Sequence, residues 1–412
     1  MSLTNFTFFC YNFIVGFGIV FVLAMEKIIG FKMNLYGINE IASIFIMGVL
    51  AFYLGEFVFL AFSKVFIKPY WKNGSVNYAF DLTKSDFNLS KTSEYGLLGL
   101  AMLSFLSVTI FAAVNGTSLG QTSYESRYEA SQGMGFLTLF FTAFLPYMIY
   151  RLYKVKNSKT PRTSIAKISF CFILYGVFIY VILNGYRQIL MAQLLLVVIF
   201  ALSLKLVSRK TFYIGIFVLF PVFLTALAFI RYLGEDGGVF SSPMEAAFYY
   251  VQGDLFPVDA ILKTKVYLET HVAPGMSVFF EHFLRLVPRF LYPEKPEFLN
   301  NASGYYTNVI VGYERGVTLS PTLVSEGLLV SGYLGVFIIL FCSAILCRVY
   351  DLVLFNTKST LVFCVFLSFV YMGFFIVREG LQAGAYRIIV MLVFLCIAWL
   401  IREFLISNKK LY

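Results

Sequence analysis

Charge is scarce in this chain of 412 residues: Asp, Glu, Lys and Arg make up 13% of it, against about 25% in soluble domains. The shortfall runs along the whole sequence, which excludes a soluble protein with one anchor. Histidine is scarcer still. Two residues, His271 and His282, do not make a histidine-rich metal centre. The six cysteines, Cys10, Cys171, Cys342, Cys347, Cys364 and Cys396, all lie in apolar runs without CxxC spacing. They read as small buried apolar residues, with neither a disulfide framework nor a thiolate metal site. A GxxxxGK[ST] phosphate loop, an HExxH zinc motif and a DxD metal pair are also missing; Ser85-Asp86 and Glu235-Asp236 do not supply the last. The expectation is chemistry that uses no metal and no cofactor.

Apolar residues are what the chain has in abundance: 59% are hydrophobic and 19% aromatic. A membrane span needs about twenty mainly apolar residues, and by that rule about ten spans are expected. They cover residues 6–25, 38–62, 96–114, 135–150, 168–183, 188–206, 212–230, 322–346, 361–377 and 386–400. The first run lacks a basic leader region and a small-residue cleavage site, so it is expected to be a span. The fold class is therefore an all-α polytopic membrane protein. Seven spans occupy residues 1–230, a long loop residues 231–320, and three spans with a short tail residues 321–412.

The formal net charge of +10 does not point to nucleic acid, because no basic stripe accompanies a known binding motif. The basic residues concentrate instead in connectors after the second, fourth and sixth spans and in the tail. Lys68, Arg151, Lys159, Arg209 and Lys410 are examples. Such a bias marks the cytoplasmic side. Both termini are then cytoplasmic. The long loop, the turn at Arg187 and the turn Arg378-Glu379-Gly380 all fall on the outer face. Lys27 and Lys32 are the exceptions to the pattern.

The loop from Arg231 to Ser320 is too rich in aromatic and aliphatic residues for a linker, and loops of this length are functional or disordered. Residues 243–267, interrupted by Pro257, suggest two short amphipathic helices at the membrane surface or under a cap. Residues 275–290 suggest another helix, with His282, Arg285 and Arg289 on one face, until Pro288 ends it. Arg315 and Lys295 complete the loop's basic set.

Each charged candidate carries two readings. Arg187 either snorkels to lipid headgroups or contacts a phosphate in a cavity, which a guanidinium matches bidentately. Arg378 either pairs structurally with Glu379 or does the same. Arg387 lies just inside a span and is expected to face protein or water. His282 is either a structural hydrogen-bonded histidine or a base. Glu326 lies inside the eighth span, where a carboxylate is a functional candidate with partners expected among these arginines; otherwise it only fastens the loop. Glu56 is a helix-packing or surface acid.

Four local sequences, set in this organisation, resemble the Wzy-type polymerases of bacterial O-antigen and capsule repeat units. They are Asn184-Gly185-Tyr186-Arg187, Arg285-Leu286-Val287-Pro288-Arg289 followed by Lys295-Pro296, the run from Thr322 to Gly335 in which Glu326 leads into Gly-Leu-Leu-Val-Ser-Gly-Tyr-Leu-Gly, and Val377-Arg378-Glu379-Gly380. The resemblance implies a GT-C-like fold in the bacterial inner membrane, with the active site and long loop facing the periplasm. It implies a metal-independent glycosyltransferase. The substrate would be an undecaprenyl-pyrophosphate-linked oligosaccharide presented in membrane lipid, and a separate co-polymerase would regulate chain length. Arg187, Arg285, Arg289, Arg315 and Arg378 would hold pyrophosphate, and His282 or Glu326 would be the catalytic base. Two other functions share these features: an O-antigen ligase and a non-enzymatic flippase of lipid-linked sugar.

The topology has a direct test. Green fluorescent protein fused after Tyr412 should fluoresce, and alkaline phosphatase inserted after Lys295 should be active. The opposite pattern at both sites would invert the orientation.

Overall fold

The structure, a computed structural model, describes residues 2–29, 38–66, 91–115, 135–155, 160–182, 187–203, 208, 210, 214, 257–287, 291–294, 300–312 and 319–409. No strand occurs among them. The chain opens with α1 (Leu3–Tyr11), a π-helical stretch Asn12–Phe17 and α2 (Gly18–Ile29). Then come α3 (Ile38–Phe66), α4 (Lys91–Asn115), α5 (Gly135–Leu139), a 3-10 turn Phe140–Thr142 and α6 (Leu145–Lys154). A hairpin follows, of α7 (Pro161–Ile182) and α8 (Arg187–Ser203). The loop supplies α9 (Val258–Thr270), α10 (Ser277–Phe280), a 3-10 stretch Glu281–Leu286, α11 (Ala302–Tyr305) and a π-helical stretch Tyr306–Ile310. Four helices close the chain: α12 (Thr322–Asn356), α13 (Thr360–Ser368), α14 (Met372–Glu379) and α15 (Leu381–Lys409).

Among the described residues, seven helical segments are long and apolar enough to cross a membrane: Leu3–Ala24, Asn39–Ser63, Thr92–Val114, Thr163–Val181, Thr322–Asn356, Thr360–Glu379 and Leu381–Ser407. The protein is an α-helical, multi-pass membrane protein. Of the other expected spans, 188–206 corresponds to the shorter apolar helix Ile189–Ala201. The segment 135–150 is divided between α5, the 3-10 turn and α6, and 212–230 lies outside the described residues. The α13–α14 segment is the centre: 89% of it is buried, against 22–33% for α3, α4, α7 and α15. Those outer helices turn large apolar side chains such as Phe57, Phe105 and Phe170 outward, as lipid solvation allows. The cysteines divide the same way. Cys10, Cys347 and Cys364 are buried, whereas Cys171, Cys342 and Cys396 are exposed, and all six are free. The expectation that all are buried is corrected for those three, because an apolar side chain in a span has an apolar environment on both sides.

Side-chain contacts fix the helix directions. Tyr153 meets Phe363 edge-on, and a side chain on Gly96 would strike Leu361 and Ala398. Glu94 takes a hydrogen bond from Tyr150 at 2.9 Å and pairs with Lys154 at 3.1 Å. The starts of α4 and α13 and the ends of α6, α12 and α15 therefore share one end of the bundle. At the other end lie the starts of α3, α12 and α15 and the loop helices. Lys265 of α9 pairs with Glu40 in the first turn of α3. That carboxylate raises the Lys265 pKa, with Glu269 adding to the effect.

Asp351 organises the first of these two ends. The first N–H groups of a helix have no partner within it. Those of Leu3 and Thr4 donate to the Asp351 carboxylate at 2.6 and 3.1 Å, and the Thr4 hydroxyl donates to it at 2.6 Å. Ser2 caps the next turn through Asn5 N–H at 3.1 Å. One turn back along α12, Arg348 pairs with Glu56 of α3. Glu56 is thus a helix-packing acid. These polar pairs also explain why α12 runs to Asn356, ten residues past the expected span.

Replacing Asp351 tests this arrangement. Asp351→Ala strands three donors and should destabilise the protein by at least the ~1–2 kcal/mol of a lost cap, because unsatisfied buried donors add to it. Asp351→Asn, which retains one acceptor oxygen, should cost less. Thermal unfolding in detergent should order the three proteins accordingly; equal stability would contradict the capping role.

Candidate functional site

The loop elements meet the membrane helices where α12 and α15 begin and α14 ends. Glu326 lies at the centre of this junction. It is fully buried, and its carboxylate accepts from the backbone N–H of Leu381 and, at 3.2 Å, of Gln382. It therefore caps α15 from another helix. The local sequence makes this possible at Gly380, whose φ of +108° suits glycine. A side chain there would also run into the Glu326 carboxylate. The sequence predicts arginine partners for Glu326, and that expectation is corrected: its partners are two amides at a helix N-terminus, where the aligned peptide dipoles also favour a negative charge.

Gln382 carries the connection onward. Its Oε1 accepts from the N–H of Ala302 at 3.4 Å, while its Nε2, also buried, has no hydrogen-bond partner. Ala302 opens α11, whose cap is Asn301. The Asn301 Oδ1 accepts from Gly304 N–H at 2.8 Å, and its Nδ2 lies 3.1 Å from Nδ1 of His282. The first bond fixes the amide orientation, so Nδ2 faces the ring and donates to it. Nδ1 is then an acceptor, and the neutral ring carries its proton on Nε2. In this arrangement the imidazole presents an N–H at Nε2 and not a lone pair for proton abstraction. The buried ring of His282 also stands edge-on to Tyr386 of α15 at 5.4 Å. Edge-to-face packing of this kind fixes ring orientation.

Beside this network Glu379 lies between two arginines. Arg387 donates to it at 2.9 Å, and Arg378 approaches at 3.7 Å. Arg387 also donates to the Ala383 carbonyl at 3.2 Å and stacks 4.1 Å above the Phe375 ring. These side chains are only 14–16% exposed. Two guanidinium groups share one carboxylate, and Arg378 stands in the last turn of α14, where a cation is favoured. Guanidinium groups of this kind also bind phosphate oxygens.

Of the site residues expected from sequence, His282, Glu326 and Arg378 come together at this junction. Arg187 begins α8 and Arg285 lies in the 3-10 stretch, but their side chains lie outside the described residues. So do Arg289, Lys295 and Arg315 altogether. The helix expected over 275–290 is shorter: α10 gives way to the 3-10 stretch at Glu281, which ends at Leu286. His271 stands apart, stacked on Tyr267 at 4.1 Å. Tyr267 reaches the hydroxyl of Tyr305 at 3.1 Å, and burial pushes the Tyr305 pKa up to about 12. Asn301, Gln382 and Tyr386 are the residues that sequence reasoning passes over. The signal for Asn301 is an N-cap residue before Ala-Ser-Gly; for Gln382 it is an amide opening an apolar helix.

No group of three or more His, Cys, Asp or Glu side chains that could hold a metal occurs among the described residues. No protein-family model matches the chain, and neither a curated protein nor a solved structure matches it significantly.

The coupling of loop to helix end is testable by hydrogen exchange. Glu326→Gln replaces one acceptor with an NH2 that faces a backbone N–H. Exchange should rise both in residues 379–386 and in residues 300–306. A rise confined to the first peptide would separate the loop from the cap.

Proposed function

We propose that this protein polymerises undecaprenyl-pyrophosphate-linked oligosaccharide repeat units at the periplasmic face of the bacterial inner membrane. The observation that carries the reading is the Arg378–Glu379–Arg387 cluster beside the loop–helix junction. Its guanidinium groups match phosphate oxygens, its burial favours an anion presented from the membrane, and the loop adds Arg285, Arg289 and Arg315 in sequence. In the reaction, a hydroxyl at the non-reducing end of one lipid-linked unit attacks the anomeric carbon of the growing chain. The bond to the lipid pyrophosphate breaks, the pyrophosphate leaves with the electron pair, and the proton lost by the attacking hydroxyl passes to the departing pyrophosphate. Guanidinium groups stabilise the charge that develops there. Arg378 and Arg187 hold pyrophosphate in this scheme, with the loop arginines. His282 contributes the Nε2 N–H; serving as the base requires it first to exchange its bond with Asn301. Glu326 acts by fixing the start of α15, on which Arg387 and Tyr386 stand.

A second reading, a flippase of lipid-linked sugar, draws on one observation. The Glu56–Arg348 pair places charge within the spans, as an alternating-access pathway would need. Deletion in the source cell separates the two: loss of a flippase leaves repeats on the cytoplasmic leaflet, and loss of a polymerase leaves single repeats transferred at the surface. Loss of an O-antigen ligase leaves long polymer on the carrier.

Alanine at Arg187, Arg289 or Arg378 should abolish the long-chain glycan ladder in that cell while retaining single-repeat material. Arg378→Lys, which keeps charge but loses the planar fork, should shorten the ladder. An unchanged ladder for all three alanine variants would overturn the assignment.

A further inference from the structure

Between Glu269 and Glu281 the loop contains no Asp, Glu, Lys or Arg. Its α10 turn is apolar on opposite faces. Val278 points inward and is 1% exposed, packed with Leu329 and Ala302. Met276 and Phe280, one turn apart, point the other way and are 49% and 60% exposed, while Val272 is 90% exposed. A turn that is apolar on two opposite faces needs an apolar environment at both. One half of that environment is α12; the structure leaves the other half to the surroundings.

The break in α12 places this segment at the membrane. Ser331 and Gly332 leave helical geometry, so the helix cannot complete its hydrogen bonds there. The Leu329 carbonyl instead accepts from Gly275 N–H at 3.1 Å. Gly275 has a φ of +82°, which forms the turn before α10. The turn is therefore docked on the break by its backbone. Immediately past the break α12 exposes Tyr333, Leu334 and Ile338, the start of its outward apolar face.

We propose that the segment from Val272 to Phe280 is inserted into the acyl-chain region of the leaflet on the loop's side. Val272, Met276 and Phe280 contact lipid there, continuing the lipid-facing surface of α12. The partner is the bilayer itself. The segment would hold the loop at the membrane surface, whatever chemistry the neighbouring junction performs.

The test uses the full-length protein in liposomes whose lipids carry bromine on the acyl chains, with Trp71→Phe and Trp399→Phe as background. Val272→Trp, Met276→Trp and Phe280→Trp each place one fluorophore on an exposed position, so the core is left intact at each. Leu334→Trp serves as the lipid reference and Glu294→Trp as the aqueous one. Tryptophans at 276 and 280 should lose most of their emission to the brominated lipids, as at 334, and should resist aqueous acrylamide. Quenching by acrylamide as strong as at 294 would overturn the proposal. Protection from both quenchers would overturn it as well, since protein would then cover the patch.

Discussion

A buried helix start leaves several N–H groups that neither the helix nor water can satisfy. In this protein the second half of the α14–α15 hairpin starts under that constraint. The carboxylate of Glu326, carried on α12, resolves it by accepting from Leu381 and Gln382. Much else at this end follows from that bond. Gly380 must lack a side chain for the carboxylate to approach. Gln382 is held where it can receive Ala302 N–H, Asn301 then caps α11, and His282 is oriented by Asn301 and Tyr386. At its opposite end α12 repeats the device, with Asp351 accepting from the start of α1. One long helix thus supplies a carboxylate to the N-terminus of a different neighbour at each of its ends.

The membrane helices are legible in the sequence because an apolar run of about twenty residues matches the thickness of the hydrocarbon layer. Their limits are less so. The last span, expected over 386–400, is part of a helix from Leu381 to Lys409. Its true start is set by a carboxylate 55 positions earlier, and no local pattern announces that. The same holds for Asp351, which lies 348 positions from the amide it caps. Within the site, the pairing of Arg378 with Glu379 is readable from adjacency, and the depth of Arg387 from its place in a span. The addition of Arg387 to Glu379 follows from one helical junction that only the fold supplies. His282 stands out in the sequence as one of two histidines, but its tautomer depends on the orientation of Asn301.

The polar network and the arginine cluster divide the work at this junction. The network of Glu326, Gln382, Asn301 and His282 is buried and largely satisfied, which suits holding geometry. The arginine cluster places two guanidinium groups beside this network, which suits binding. With α10 inserted in lipid, the loop would be fixed on both sides, by the α15 cap and by the bilayer. A substrate carried on a lipid would then reach the cluster laterally, without leaving the membrane surface.

Reconstitution tests the central claim most directly. Purified protein in liposomes, given lipid-linked repeat units and no gradient or nucleotide, should convert them to a ladder of longer lipid-linked products with release of the carrier pyrophosphate. Transfer of the repeats between leaflets with no change in their length would contradict it.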